Sequence, residues 1–243
     1  MPTGAIARDG SRGAVTPVAV SSFAAQHRRG ESITENFRAA TQMWTGVAWP
    51  FFGLVCVLAA PTIHILFGSG WDKAIPILRL YCIAAAISAL TSLNWNAYQA
   101  MGAVSNLLKI QLVVQPLKVV LVMVASFISL IAVGYALIAA ALISVVAAYV
   151  HANRLFDTSL GGALRASAKS FGVTACAVAV PLCVTLSRGP DVSYLWLVLV
   201  VAGAGAGWFV GLWLLHHALW PEVVLVCDTV RRRIVPWRPE RRA

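Results

Sequence analysis

The chain has 243 residues, 59% of them hydrophobic and 12% charged, with a mean hydropathy of +0.78 and a formal net charge of +10. A soluble domain carries about 25% charged residues. The apolar residues gather in blocks of about 20, the length that crosses a bilayer core. No strand-length alternation survives between those blocks, which excludes a soluble α/β enzyme. The expected fold is all-α, a polytopic membrane bundle of about six transmembrane helices.

Residues 1–43 read as a cytoplasmic N-terminal segment. They hold no apolar core ahead of a small-residue cleavage site, so they are not a secretory signal. Within them "SSFAAQHRRGESITENFRAA" reads as an amphipathic helix running into the first span. Its apolar points are Phe23, Ile33 and Phe37, and Glu31 and Glu35 lie at i and i+4. Residues 44–216 then hold the spans. The first runs from Trp44 to Phe67, the second from Ile75 to Gln99 and the third from Leu108 to Phe127. The fourth runs from Ile131 to Val150, the fifth from Phe171 to Leu186, and the sixth from Tyr194 to Leu215.

The third and fourth nearly fuse. At about 1.5 Å per residue their joint length is too great for one crossing, which predicts a tight hairpin. Gly134 is the turn candidate. The fifth span is the shortest and weakest. Pro50, Pro61 and Pro181 are candidate kinks, although membrane helices accept proline for several reasons. Gly203, Gly207 and Gly211 recur at i, i+4 and i+8, a close-packing face. That run follows no strand and is no nucleotide loop. Residues 217–243 form a basic tail with apolar, aromatic and arginine residues mixed, suited to an anionic headgroup surface or to solvent.

With six spans both termini share one side. Fifteen of the nineteen basic residues then fall on that side, while the other keeps Lys73, Arg79 and Arg188 and the membrane holds Lys118. The positive-inside rule makes that side cytoplasmic. The basic excess is thereby a topology signal, and no nucleic-acid partner is needed to explain it.

Polar residues at membrane depth face a bundle interior or a wet cavity. In "QLVVQPLKVVLVMV" Gln111, Gln115 and Lys118 stand at i, i+4 and i+7, one helical face. Pro116 beside them frees a backbone carbonyl. A lysine at the centre of a span costs roughly 2.5–3.5 kcal/mol on insertion scales, so it calls for a reason. In the second span Ser88, Ser92, Asn96 and Gln99 share a face, with Thr91 and Asn94 adjacent. Two such faces make a wet cleft in which Lys118 supplies positive charge, so an anion such as phosphate or pyrophosphate is the natural occupant. The competing reading has Asn and Gln only bonding helix to helix, at about 0.6 kcal/mol per contact.

The five cysteines are single, with no C-x-x-C and no spacing to histidines, so neither a metal site nor a disulfide framework is indicated. His64, His216 and His217 read as interfacial. No acid lies mid-span, which argues against a membrane enzyme and against a proton relay.

One stretch resembles a known family. "APTIHILFGSGWDKAIPILRLYCIAAAISALTSLNWNAYQAMG" has a proline-bearing span, then an outer-loop phrase at Phe67, Gly68, Trp71, Ala74, Pro76 and Arg79, then a span ending at Ala100 and Gly102. This is similar to the C-terminal half of Wzx-type polysaccharide flippases, in the multidrug/oligosaccharidyl-lipid/polysaccharide exporter superfamily. The likeness covers roughly Val18 to Thr185, with the N-terminal stretch resembling the cytoplasmic linker between spans.

The resemblance implies a multi-pass protein of the bacterial cytoplasmic (inner) membrane with no cofactor. Its substrate would be undecaprenyl-pyrophosphate-linked oligosaccharide, moved by two lobes around a cationic cavity. On that footing Lys118, Gln115, Gln111, Asn96, Gln99 and Asn94 would meet the substrate. The family has twelve to fourteen spans, so six imply one lobe, a truncated form or a fragment that needs a second lobe or a homo-oligomer. Alternatives are a non-transporting scaffold of a polysaccharide-synthesis complex, a drug antiporter or a peptidoglycan-precursor flippase. A lipid-modifying enzyme fits least.

Overall fold

The computed structural model describes residues 33–100, 102–156, 159–188 and 194–234. Nine α-helices occur among them. They are α1 (Ile33–Val57), α2 (Ala59–Phe67), α3 (Ile75–Ser88), α4 (Asn94–Ala100), α5 (Val104–Ser126), α6 (Leu130–Phe156), α7 (Leu160–Arg188), α8 (Tyr194–Leu214) and α9 (Trp220–Ile234). Short 3-10 turns at Ser69–Ala74 and Ala89–Thr91 flank α3. No strand occurs among the described residues. Five helical runs are long and apolar enough to cross a membrane, and α1 with α2 makes a sixth if the bent pair counts as one span. The all-α, polytopic membrane architecture is as expected.

The helices pack as an open ribbon in the order α8, α7, α1, α3, α6, α5. α1 is its centre, with α7 and α3 on its flanks. One end of the ribbon is drawn together by a buried cluster that includes Phe37, Leu90, Tyr98, Leu107, Tyr149 and Ala163. These come from the starts of α1, α5 and α7, the end of α6, the 3-10 turn at Ala89–Thr91 and α4. Phe37 of the expected amphipathic segment is therefore a core residue on a helix continuous with the first span. Phe23 lies outside the described residues.

Proline and its missing N–H explain much of the local geometry. Pro61 cannot donate to the carbonyl of Val57, and its ring crowds that carbonyl. The first span accordingly breaks at Leu58, and α2 leaves α1 at 70°. Pro50 and Pro181, by contrast, sit inside unbroken helices. Pro50 leaves the Gly46 carbonyl without its helical donor, and the indole N–H of Trp208 on α8 donates to it at 2.9 Å. In the second span the 3-10 turn after Ser88 frees further carbonyls. Trp49 Nε1 donates to Ala86 O at 2.8 Å and Tyr149 Oη to Leu90 O at 2.8 Å. Inside a bilayer such replacement donors are what make a broken helix tolerable.

Two expectations need correction. Gly134 is not the hairpin turn. The chain reverses at residues 127–129, where Ser129 Oγ accepts the Ala132 N–H at 3.1 Å as an N-cap. Gly134 instead lies inside α6 against α3, where a Cβ would come within 2.5 Å of Leu80 Cδ1. The fifth span is far from short, because α7 runs from Leu160 to Arg188. Its polar first turns hide it from a hydropathy reading that begins at Phe171. Within the basic tail α9 occupies Trp220–Ile234, with Leu225 and Val226 exposed.

The glycine stripe packs as predicted. Gly203 faces Val180, a Cβ on Gly211 would stand 3.1 Å from the Val173 Cα, and one on Gly207 would run into the Cys176 carbonyl oxygen. α7 and α8 approach this closely because α8 places no Cβ where Val173, Cys176 and Val180 of α7 meet it.

Candidate functional site

Lys118 is half-buried on α5 and lines a cavity of about 330 Å³ between α1, α3, α5 and α6. Its walls explain why the space exists. Ala84, Ala85, Ala89, Ala140 and Ala141 present only methyl groups where α3 and α6 face the lysine. Trp44, Phe52 and Tyr81 form the aromatic side. The polar side is Ser88 and Ser92. Their hydroxyls donate to their own helix, Ser88 to Ala84 O at 2.9 Å and Ser92 to Ser88 O at 3.3 Å. The oxygen lone pairs are then left as acceptors toward the cavity.

No carboxylate among the described residues pairs with Lys118. The one charged-type contact among them joins His64 and Asp72, an ion pair only when the imidazole is protonated. A cation held in an apolar bundle without a counter-charge favours an anion in the space before it.

A second, smaller cavity of about 100 Å³ lies further along the same seam, lined by Asn94, Gln111, Thr91 and Ser144. Asn94 is 3% exposed, and neither atom of its amide has a hydrogen-bond partner. A polar cavity of this size suits bound water bridging Asn94 and Gln111. Seven residues separate Gln111 from Lys118, about 10 Å of helix rise, so the two compartments stack along α5.

The six residues singled out from sequence divide. Lys118, Gln111 and Asn94 face the seam, together with Ser88, Ser92 and Thr91. Gln115 and Gln99 are exposed outside it. Asn96 is 6% exposed and lines neither cavity. Gln115 departs because the buried seam of α5 is centred on Leu107, Val114 and Ala125. Gln111 and Lys118 stand at i−3 and i+4 from Val114, while Gln115 is one residue on and about 100° round the helix. Asn96 and Gln99 depart because the 3-10 turn at Ala89–Thr91 interrupts the 3.6-residue period that placed them with Ser88.

A buried polar cluster escaped the sequence reading. His217, 1% exposed, follows α8 and packs its ring on α1, where a Cβ on Gly46 would meet Cε1 at 2.6 Å. The Leu219 N–H donates to Nδ1 at 3.2 Å, which leaves the proton on Nε2 to donate to Ser170 Oγ at 3.0 Å. Ser170 Oγ also lies 2.9 Å from Thr45 Oγ1 and 3.1 Å from Gln42 O. With Nε2 already protonated, this histidine cannot take a proton from Ser170, so the pair is a joint between α1, α7 and α8 and no nucleophile with its base. Only the contact with Gly46 could have signalled it, and that contact is long-range.

Burial pushes the His217 pKa below its ordinary 6.5, and the nearby Lys169 ammonium adds to the effect. The sign follows directly. Above about pH 6.5 the ring is neutral folded or unfolded; below it the unfolded chain takes up the proton first, and stability falls until the folded ring titrates as well. Thermal melts of the detergent-solubilised protein between about pH 5 and 7 should show this slope, and His217→Gln should flatten it.

Residues 11–76 match the family described as polysaccharide biosynthesis protein. The match takes in α1, α2 and the turn before α3, and it stops short of Lys118. No curated protein and no solved structure matches the chain.

Proposed function

We propose that the chain is one lobe of a flippase that carries lipid-linked oligosaccharide across the bacterial cytoplasmic membrane for polysaccharide export. The observation that carries this reading is the unpaired Lys118 in a hydroxyl-lined cavity between spanning helices. A lipid pyrophosphate supplies the missing negative charge, and the serine oxygens accept hydrogen bonds from sugar hydroxyls. Similarity of residues 11–76 to polysaccharide biosynthesis proteins supports the substrate class. The reading assigns no bond-making step and no cofactor.

Alternating access needs two bodies rocking about a shared site. α5 closes the ribbon on one side and packs mainly on α6, with Leu112, Val113 and Val120 exposed. That edge suits a second lobe or a second copy. The reading puts both termini in the cytoplasm, and the basic residues Arg38, Lys109, Arg154 and Arg165 near helix ends support it.

The test is complementation of a bacterium lacking its polysaccharide flippase, with surface polysaccharide as readout. The chain should restore export when co-expressed with a complementary lobe, and Lys118→Leu should abolish it. Full export by Lys118→Leu would favour the scaffold reading, in which the polar residues only join helices. No export under any pairing would remove the flippase reading.

A further inference from the structure

α3 and α7 both pack on α1 and leave a groove between them over its surface. Two cavities occupy this groove and share Cys56. One, of about 660 Å³, holds Arg79, His64, Asp72 and Thr185. The other, of about 410 Å³, is walled by Trp49, Ile83, Ile87, Leu164 and Phe171. The lining residues are successive positions on single faces. On α3 they are Ile75, Arg79, Ile83 and Ile87; on α7 they are Leu164, Phe171, Leu182 and Leu186. The two cavities are therefore one channel with a polar mouth and an apolar floor. From Leu164 to Leu186 it follows about 33 Å of α7, close to the thickness of a bilayer core.

We infer that this groove is a binding site for one anionic phospholipid, its phosphate on Arg79 and an acyl chain along the floor. The charge arrangement identifies the occupant. Arg79 is exposed at the mouth and pairs with no carboxylate among the described residues, since Asp72 Oδ1 is hydrogen-bonded to His64 Nε2 at 2.6 Å instead. A guanidinium fork recognises phosphate, and the His64–Asp72 pair with Thr185 Oγ1 meets headgroup hydroxyls. Below the mouth the polar groups are thiols, the Trp49 indole N–H and the Thr174 hydroxyl, the last two already donating to Ala86 O and Ser170 O at 2.8 Å each. The groove meets the Lys118 cavity only at Phe52, and that cavity lies on the other face of α3, which carries Ala84, Ala85 and Ser88. The lipid site requires only that the helices span a bilayer, and stands whether or not the chain transports oligosaccharide.

The experiment is native mass spectrometry of the full chain released from vesicles holding equal amounts of phosphatidylglycerol and phosphatidylcholine. One phosphatidylglycerol should be retained, preferred by roughly tenfold, the factor a charge-assisted hydrogen bond contributes. Arg79→Gln should remove the preference, and Ile83→Trp, at a position 44% exposed in the groove, should remove the retained lipid. Lys118→Leu should leave both unchanged. Equal retention of the two lipids by the unsubstituted chain, a preference that survives Arg79→Gln, or a protein dimer in place of bound lipid would overturn the assignment.

Discussion

Gly207→Val should separate α7 from α8 and lower stability by about 3 kcal/mol or more, the upper end of overpacking costs. A Cβ at this position would be driven into the backbone carbonyl of Cys176, and no rotamer change relieves a backbone contact. The carbonyl belongs to a helix interior, so relief requires the whole interface to move. Gly205→Val is the matched control, because nothing lies within 4 Å of a Cβ there. Denaturation in mixed detergent micelles reads both variants. Equal stability of the two would mean that the glycine stripe does not set the α7–α8 contact.

Lys118→Leu should act in opposite directions on stability and on export. Replacing a mid-span ammonium by an apolar side chain of similar length removes a cost of roughly 2.5–3.5 kcal/mol on insertion scales, so the variant should fold and insert at least as well. Export should nevertheless be lost, since the remaining walls hold only neutral acceptors and aromatic faces. Lys118→Arg keeps the charge and should retain part of the activity, reduced because the fork and the point charge differ in geometry. A drop in both stability and export for Lys118→Leu would instead make the lysine a packing element.

Most of the architecture was legible because hydropathy and helix period are local. The glycines at 203, 207 and 211, the α5–α6 hairpin and the lysine facing a cavity all follow from such signals. What was not legible depends on breaks and on distant partners. A 3-10 turn of three residues at Ala89–Thr91 reassigns every polar residue after it, bringing Asn94 to the seam and turning Gln99 out. Gln115 was misplaced because a stripe of polar residues says nothing of where its centre lies, and Val114 is the residue that packs. Pro61 bends its helix and Pro50 does not, though both lack the same N–H. At Pro50 the carbonyl left open is satisfied by Trp208, 162 residues away from Gly46 in sequence. The joint of His217 with Ser170 and Thr45 is equally non-local.

The account rests most heavily on Lys118 standing in a wet cavity and not against lipid or packed helix. The direct measurement is thiol labelling of Lys118→Cys in intact membranes, after replacement of the five native cysteines, with a charged thiosulfonate that reacts only where water reaches. Val119→Cys, at a position 64% exposed on the outer face of the same helix, supplies the lipid-facing reference. Rapid labelling at 118 and none at 119 is the expected result. Equal inertness at both positions would contradict it.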